Sequence, residues 1–318
     1  MKVLVTGGAG FIGSALVRKL QADDQDVVIL DDFSTGFEAN LTGVDVPIIR
    51  GSITDADTVS RAAAGCSAIV HLAAVGSVPQ SILDPVGIFD INVRGSLQVF
   101  EYARREGVHV VFSSSASVFG TNPENPKTSR SWTRPLSPYG SSKLAAESYL
   151  LSYAECFGFP ALAFRFFNVY GPRQRPDHPY AAAIPRFTGQ ALLDLPVTIY
   201  GDGLQDRDFV SVGLVSSVIA EAVRRRVPSD IPVNMSTGKQ TAILDVAKDI
   251  IRLTDSASTL EMRPARDADI RFSQGSPDDL MRLFPDAVDV SLADGLAETV
   301  AWMRTLADAG DISPATLS

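Results

Sequence analysis

A strand that halts on three evenly spaced glycines and resumes as a helix leaves few folds open, and the chain begins with one, Lys2 to Ser14 (KVLVTGGAGFIGS). Val3, Leu4 and Val5 form a short β-branched, apolar run, and Phe11, Ile12, Ala15, Leu16 and Leu20 continue at helical spacing. Gly7, Gly10 and Gly13 let the chain turn sharply, approach a ligand closely and pack helix against strand, while the free N–H groups of the helix start face a pyrophosphate. A second run, Val27 to Leu30, ends in Asp31 and Asp32 about 20 residues further on, where such a unit places an acid on the adenosine ribose. The pattern predicts a dinucleotide held by Gly7, Gly10, Phe11, Ile12, Gly13, Asp31 and Asp32. A carboxylate at that strand end repels a 2′-phosphate, so NAD is favoured over NADP, with Asp31 the better placed of the two acids.

The 318 residues, 45% of them hydrophobic, can fill one large α/β domain with a smaller lobe. Net charge is −9 and the acid excess is spread along the chain, which argues against nucleic acid as a partner. Cys66 and Cys156 stand in unrelated contexts and suggest neither a disulfide nor a thiolate metal site. His71, His109 and His178 lack paired ligand spacing, so no metal is expected and each reads as structural. A strand from residue 2 leaves no room for a leader, and no apolar run nears the ~20 residues of a membrane span. A cytoplasmic protein with no membrane partner is the expectation.

Further along, Pro47 to Arg50 reads as a third strand, and Ser52 and Ile53 follow at its end. A helix capped by Thr54 or Asp55 comes next. Ala68 to Ala74 is a fourth strand, whose small-residue end at Leu72, Ala73 and Ala74 lets a flat cofactor lie across it. Residues 84–106 carry apolar positions at helical spacing and predict one long helix. His109 to Phe112 is a fifth strand and runs straight into Ser113, Ser114 and Ser115. Hydroxyls in such a place are turn formers or substrate contacts.

Tyr139 and Lys143, four apart in a helical run that starts near Ser137, share one face. A lysine beside a phenol favours the phenolate, and a positive nicotinamide would add to the effect. Such a tyrosine can serve as a base near neutral pH.

Gly7-x-x-Gly10-x-x-Gly13, the serines at 113 to 115 and Tyr139-x-x-x-Lys143 recur in this order in the extended short-chain dehydrogenase/reductase family. The chain closely resembles its nucleotide-sugar 4-epimerase branch. HLAA at 71–74, SVPQSILDP at 77–85, FFNVYGPRQ at 166–174, YGDGLQDRDFV at 200–210 and RPARDADI at 263–270 extend the resemblance over nearly the whole chain. It implies a Rossmann-type doubly wound parallel sheet with a smaller mixed α/β C-terminal substrate lobe. The NAD-binding domain would span 1–169 with return segments near 208–257, including a strand at Ile231 to Met235, and the lobe 170–207 and 258–318, with a loose tail after Ala309.

The same resemblance implies roles. Tyr139 is the base, Lys143 holds the nicotinamide ribose and lowers the tyrosine's pKa, and Ser115 bonds the sugar O4. Asn92 and Ser113 support the cofactor side. Asn168, Arg207 and Arg266 meet the diphosphate and nucleotide of a UDP-sugar, as the planar fork of arginine suits. Tyr200 packs on the uracil. Ser273 borders the sugar's C2 substituent, where a small residue, like the PYAAAIP segment at 179–185, admits an N-acetyl group. The reaction implied is NAD-dependent UDP-hexose 4-epimerisation, UDP-glucose with UDP-galactose and also the N-acetylhexosamine pair, through a bound 4-ketose and NADH. A homodimer through helices at 84–106 and 137–157 is expected.

Ser52 stands where the family often has an aspartate for the adenine, Phe119 replaces a tyrosine, and Ala268 replaces a glycine of an R-x-G-D pattern. The Asp-Glu of 4,6-dehydratases and the glutamate of UDP-glucuronate decarboxylases are absent, their places held by Ala116 and Ser117. A UDP-hexuronate 4-epimerase, which needs only a carboxylate pocket in addition, stays open. A non-catalytic NAD sensor could dispense with the tyrosine and lysine, and this chain keeps both.

Overall fold

The computed structural model describes residues 1–177, 181–265 and 270–317. The first half alternates strand and helix: β1 (Lys2–Thr6), α1 (Phe11–Ala22), β2 (Asp26–Asp31), β3 (Ile48–Arg50), α2 (Ala56–Ala63), β4 (Ala68–His71), α3 (Val78–Leu83), α4 (Pro85–Phe89), α5 (Ser96–Glu106), β5 (His109–Ser115), α6 (Pro138–Phe157) and β6 (Ala161–Phe166). The second half runs through β7 (Asn168–Tyr170), α7 (Ala183–Leu192), β8 (Val197–Tyr200), β9 (Asp206–Arg207), β10 (Phe209–Ser211), α8 (Val212–Arg225), β11 (Val233–Met235), β12 (Thr241–Ala242) and α9 (Ile243–Thr254). It closes with β13 (Leu260–Arg263), β14 (Phe272–Ser273), α10 (Asp278–Leu283), α11 (Leu292–Asp308) and α12 (Pro314–Leu317).

Seven strands form one parallel sheet in the order β3, β2, β1, β4, β5, β6, β11. Their apolar runs are continuous because both faces are covered. Val3, Val5, Val27 and Ile29 point into a core with α1 and α8, whereas Leu4, Val28, Leu30 and Phe112 point into a second core with α2, α5 and α6. The order of strands reverses between β1 and β4, and the carboxyl ends there form the switch point where ligands of such sheets sit. The expected fold is the one found.

The second lobe has its own core, in which Ile184, Phe187, Val197, Ile199, Val246, Ile250 and Leu296 are buried. Three small sheets frame it, β8 with β13, β9 between β12 and β14, and β7 with β10. The sequence pattern groups α9 with segments that return to the main domain, yet its apolar face joins this lobe core. Conversely Leu280 of α10 and the following Phe284 are buried in the main core, although 258–318 is expected in the lobe. An amphipathic helix announces that it has a buried face without announcing which core takes it.

Two local expectations also change, and one strand is added. The stretch 84–106 is not a uniform helix: Asp90–Gly95 is a π-helical turn between α4 and α5. A sixth strand, β6, joins the five expected in the first half of the chain. The tail is packed, with Ile312 and Leu317 both buried.

Candidate active site

The glycine loop does what its spacing requires. Gly7 adopts φ +72°, and a β-carbon there would stand 2.8 Å from the Ala73 nitrogen. At Gly13 a β-carbon would meet the Gly7 carbonyl oxygen at 2.1 Å, so only glycine lets α1 settle on the turn. No side chain caps α1 at Gly10, which leaves the N–H groups of Phe11, Ile12 and Gly13 to a ligand. Asp31 is buried at the end of β2, where its carboxylate accepts the Ala9 and Phe33 N–H groups, each at 2.8 Å. Burial raises its pKa and those two bonds oppose the rise. Gly7, Gly10, Asp31, Asp32, Ile53, Leu72, Ala73 and Ala74 line one groove. Asp32 caps its own loop by accepting the Ser34 N–H at 2.9 Å, and Ser52 turns its hydroxyl to Thr54 Oγ1, also at 2.9 Å. Clearance, uncapped donors and an acid at the ribose position together fit a dinucleotide.

Behind the groove a buried relay fixes the strand ends. Thr6 Oγ1 accepts the Ala73 N–H at 3.2 Å and lies 2.7 Å from His71 Nδ1. His71 Nε2 lies 2.9 Å from Ser96 Oγ, which donates to the Asn92 carbonyl at 2.6 Å. Burial first, and then Lys143, push His71 down to about 3, so it is neutral. Asn92 spends its side-chain amide on Val75 N–H and C=O and on Ser142 Oγ, at 2.8, 3.1 and 3.0 Å. It braces the loop after β4 against α6 from beneath the groove.

Helix α6 begins at Ser137, whose hydroxyl accepts the Gly140 N–H, with Pro138 in the first turn, and ends at the left-handed Gly158. That start aims Tyr139 and Lys143 at the end of β5. Tyr139, Lys143, Ser113 and Ser115 line a cavity with Gly7, Gly10, Phe11, Ile12 and Gly13. Lys143 Nζ donates to the Ser113 carbonyl at 2.8 Å and lies over the Phe112 ring. Ser115 Oγ lies 3.0 Å from Ser117 Oγ. Ser114 turns the other way, donating at 2.6 Å to Glu147, which holds Arg165 in a buried ion pair of the same length.

Both members of the pair are deeply buried, and burial acts on each. Burial pushes the Tyr139 phenol up, and its hydrogen bond with Ser115 opposes that rise. Burial also pulls Lys143 down to about 7. Positive charge beside the phenol, from Lys143 when protonated and from a bound nicotinamide, would favour the phenolate.

A second cavity, in the lobe, adjoins the first through Val169 and Gln174, which border both. Asn168, Tyr200 and Arg207 line it. Arg207 Nη1 donates to the Asp206 and Ile270 carbonyls at 2.8 and 2.7 Å. Ser273 pairs with Arg207 across β14 and β9 but is not among the residues that line either cavity. Arg266 lies outside the described residues. Sequence reasoning misses Arg186 and the amide of Gln174. Arg186 Nε and Gln174 Oε1 are buried on the wall with no hydrogen-bond partner among the described residues. Both stand in or beside segments that carry the family resemblance, but nothing in a segment shows which polar atoms stay unpaired. Asp208 is missed as well: its buried carboxylate gathers the N–H groups of Thr237, Gly238 and Gly275 and so holds β9 and β10 in place.

No group of three or more His, Cys, Asp or Glu among the described residues is arranged to hold a metal, and no described helix is long and apolar enough to cross a membrane.

Residues 3–234 match the model of the NAD dependent epimerase/dehydratase family. A UDP-glucose 4-epimerase of Mycolicibacterium smegmatis is 35% identical, over 96% of this chain and 99% of its own length. Among solved structures, UDP-glucose 4-epimerase of Thermus thermophilus in complex with NAD is 35% identical with TM-score 0.88, covering 96% of this chain and 99% of that one. UDP-N-acetylglucosamine 4-epimerase from Methanobrevibacter ruminantium is 33% identical with TM-score 0.91, covering 96% and 98%. With a glycine loop built for a dinucleotide and this likeness along its length, the chain belongs to the NAD-dependent epimerase/dehydratase family of nucleotide-sugar enzymes.

Proposed function

We propose that the protein is a UDP-hexose 4-epimerase that accepts the N-acetylhexosamine pair as well as UDP-glucose and UDP-galactose. The observation that carries this reading is the convergence of Tyr139, Ser115 and Lys143 on a cavity that opens into an arginine-bearing one. Tyr139 takes the proton from the sugar O4 and later returns it, and Ser115 holds that oxygen through the transfer. Lys143 orients the nicotinamide ribose from its seat on Ser113. The dinucleotide supplies the hydride acceptor and donor at C4. Asn168 and Arg207 hold the diphosphate while the 4-ketose presents its other face, and Tyr200 packs on the uracil.

Ala116 and Ser117 carry no acid or base after Ser115, which disfavours dehydration and decarboxylation. The acetamido specificity is supported by Ala181, Ala182 and Ala183, small side chains on the wall of the lobe cavity, and by Ser273, which pairs with the cavity-lining Arg207. A panel of UDP-galactose, UDP-N-acetylgalactosamine and UDP-glucuronate, with products resolved by chromatography, tests the reading. Conversion of the first two to their gluco epimers is expected. Turnover of the glucuronate alone would overturn it, and inert UDP-N-acetylgalactosamine beside active UDP-galactose would remove the acetamido part.

A further inference from the structure

One arginine on the groove carries a charge that no described residue neutralises. Arg173 stands in the turn between β7 and α7 with its backbone at φ +74°, a left-handed conformation that a β-carbon makes costly. Its guanidinium is half-buried and makes no hydrogen bond or ion pair with any described residue. Arg175, two residues on, is the contrast, bound to Asp177 at 2.8 Å and lying over Phe37. Beside Arg173 stands a like charge: Arg18 of α1, already committed to the Ser14, Asn40 and Thr42 carbonyls. Burial lowers the pKa of both guanidiniums, and the proximity of Arg173 lowers that of Arg18 further. A strained residue with a partly desolvated charge next to its own kind persists where a ligand compensates it.

The geometry says which ligand. Arg173 lines a cavity of about 290 Å³ with Phe11, Thr35, Ser77 and Gln80. Phe11 opens α1, whose uncapped N–H groups are the ordinary seat of a pyrophosphate. Thr35 and Val75 also border the groove of Asp31, so the cavity is continuous with the dinucleotide site. We propose that Arg173 is a cofactor-binding residue, its guanidinium reaching from the substrate side onto the pyrophosphate of NAD opposite the start of α1. The dinucleotide is then gripped from two sides, by a helix of the main sheet and by a turn that leads into the lobe. Release of the cofactor requires that turn to withdraw, which suits an enzyme whose cofactor ends each turnover as it began.

The test uses the holoenzyme and its Arg173→Gln, Arg173→Gly and Arg173→Lys variants, without nucleotide sugar. Bound NAD is chased with fluorescent etheno-NAD and the exchange rate is read from the emission. Loss of the charge-assisted bonds should speed release by roughly tenfold or more in the Gln and Gly variants, with Lys between them and the parent. Glycine is the decisive substitution, because it accepts φ +74° without strain. If Arg173 served only the backbone, the Gly variant would hold NAD as well as the parent, and that result overturns the proposal. Unchanged NAD release together with weakened UDP binding by calorimetry also overturns it, since the guanidinium would then belong to the substrate's diphosphate. Melting temperatures of the apo forms verify that the compared proteins are folded.

Discussion

Tyr139 and Lys143 share a face of α6 and reach one cavity, and the consequences are local. Tyr139→Phe removes the hydroxyl and leaves the ring, so turnover should fall by about 10²-fold or more while NAD stays bound, as single-turnover and cofactor-retention measurements would show. Turnover at the parent rate would remove Tyr139 from the base role. His71 gives a stability prediction. Its folded pKa of about 3 lies below the ordinary 6.5, so between those values the unfolded chain binds a proton that the native chain does not. Its contribution is complete above pH 6.5 and is lost as pH falls toward 3, at roughly 1.4 kcal/mol per unit. Urea midpoints across that window should fall less steeply in His71→Asn than in the parent. Equal slopes would place the acid sensitivity elsewhere.

Helices and strands deliver these residues, and α6 is the element most tightly constrained. The Glu147–Arg165 pair lies under the site, nearly shielded from water, and ties α6 to β6, with Ser114 of β5 joining the same carboxylate. Removing one charge leaves the other buried and unpaired, so Glu147→Gln should cost about 3–5 kcal/mol in urea unfolding. A loss below about 1 kcal/mol would mean that water or a neighbour takes over, as at an exposed pair. This pair also marks what sequence could not show. Glu147 and Arg165 lie on α6 and β6, and only the packing of that helix on the paired β5 and β6 brings them together. The π-helical turn at Asp90–Gly95 escapes for a similar reason. Its residues satisfy helical periodicity, and the extra residue in the turn is fixed by Asn92 and Ser96, which are held by Val75, Ser142 and His71 on other elements.

Over the whole molecule, the helices α3, α4 and α6, which pack on one another, carry several exposed apolar side chains. Ile82, Leu83 and Val86 are 65, 77 and 69% exposed, and Phe89 and Tyr149 lie nearly half open. We propose that α3, α4 and α6 pair with those of a second copy about a two-fold axis, since an apolar surface of this kind marks an interface more often than a free surface. Light scattering at micromolar concentration should return twice the chain mass, and Val86→Arg should return the single chain. A parent protein that scatters as one chain would remove the dimer.

Local backbone chemistry, legible along the chain, was enough for the strand, glycine turn and helix at Gly7 to Gly13, the acid at Asp31, the parallel class of the sheet, and the shared face of Tyr139 and Lys143. Each depends on residues within a turn or two of one another, or on the periodicity of a single element. Packing across long separations settled the rest. It put α9 in the lobe, returned α10 to the main core, and joined the Ser114 hydroxyl to Glu147. It also brought the charge of Arg173 to the dinucleotide groove without a partner among the described residues. Partners, burial and the sign of a pKa shift come from groups that meet only in the folded chain, and these depend on which cores the amphipathic faces find.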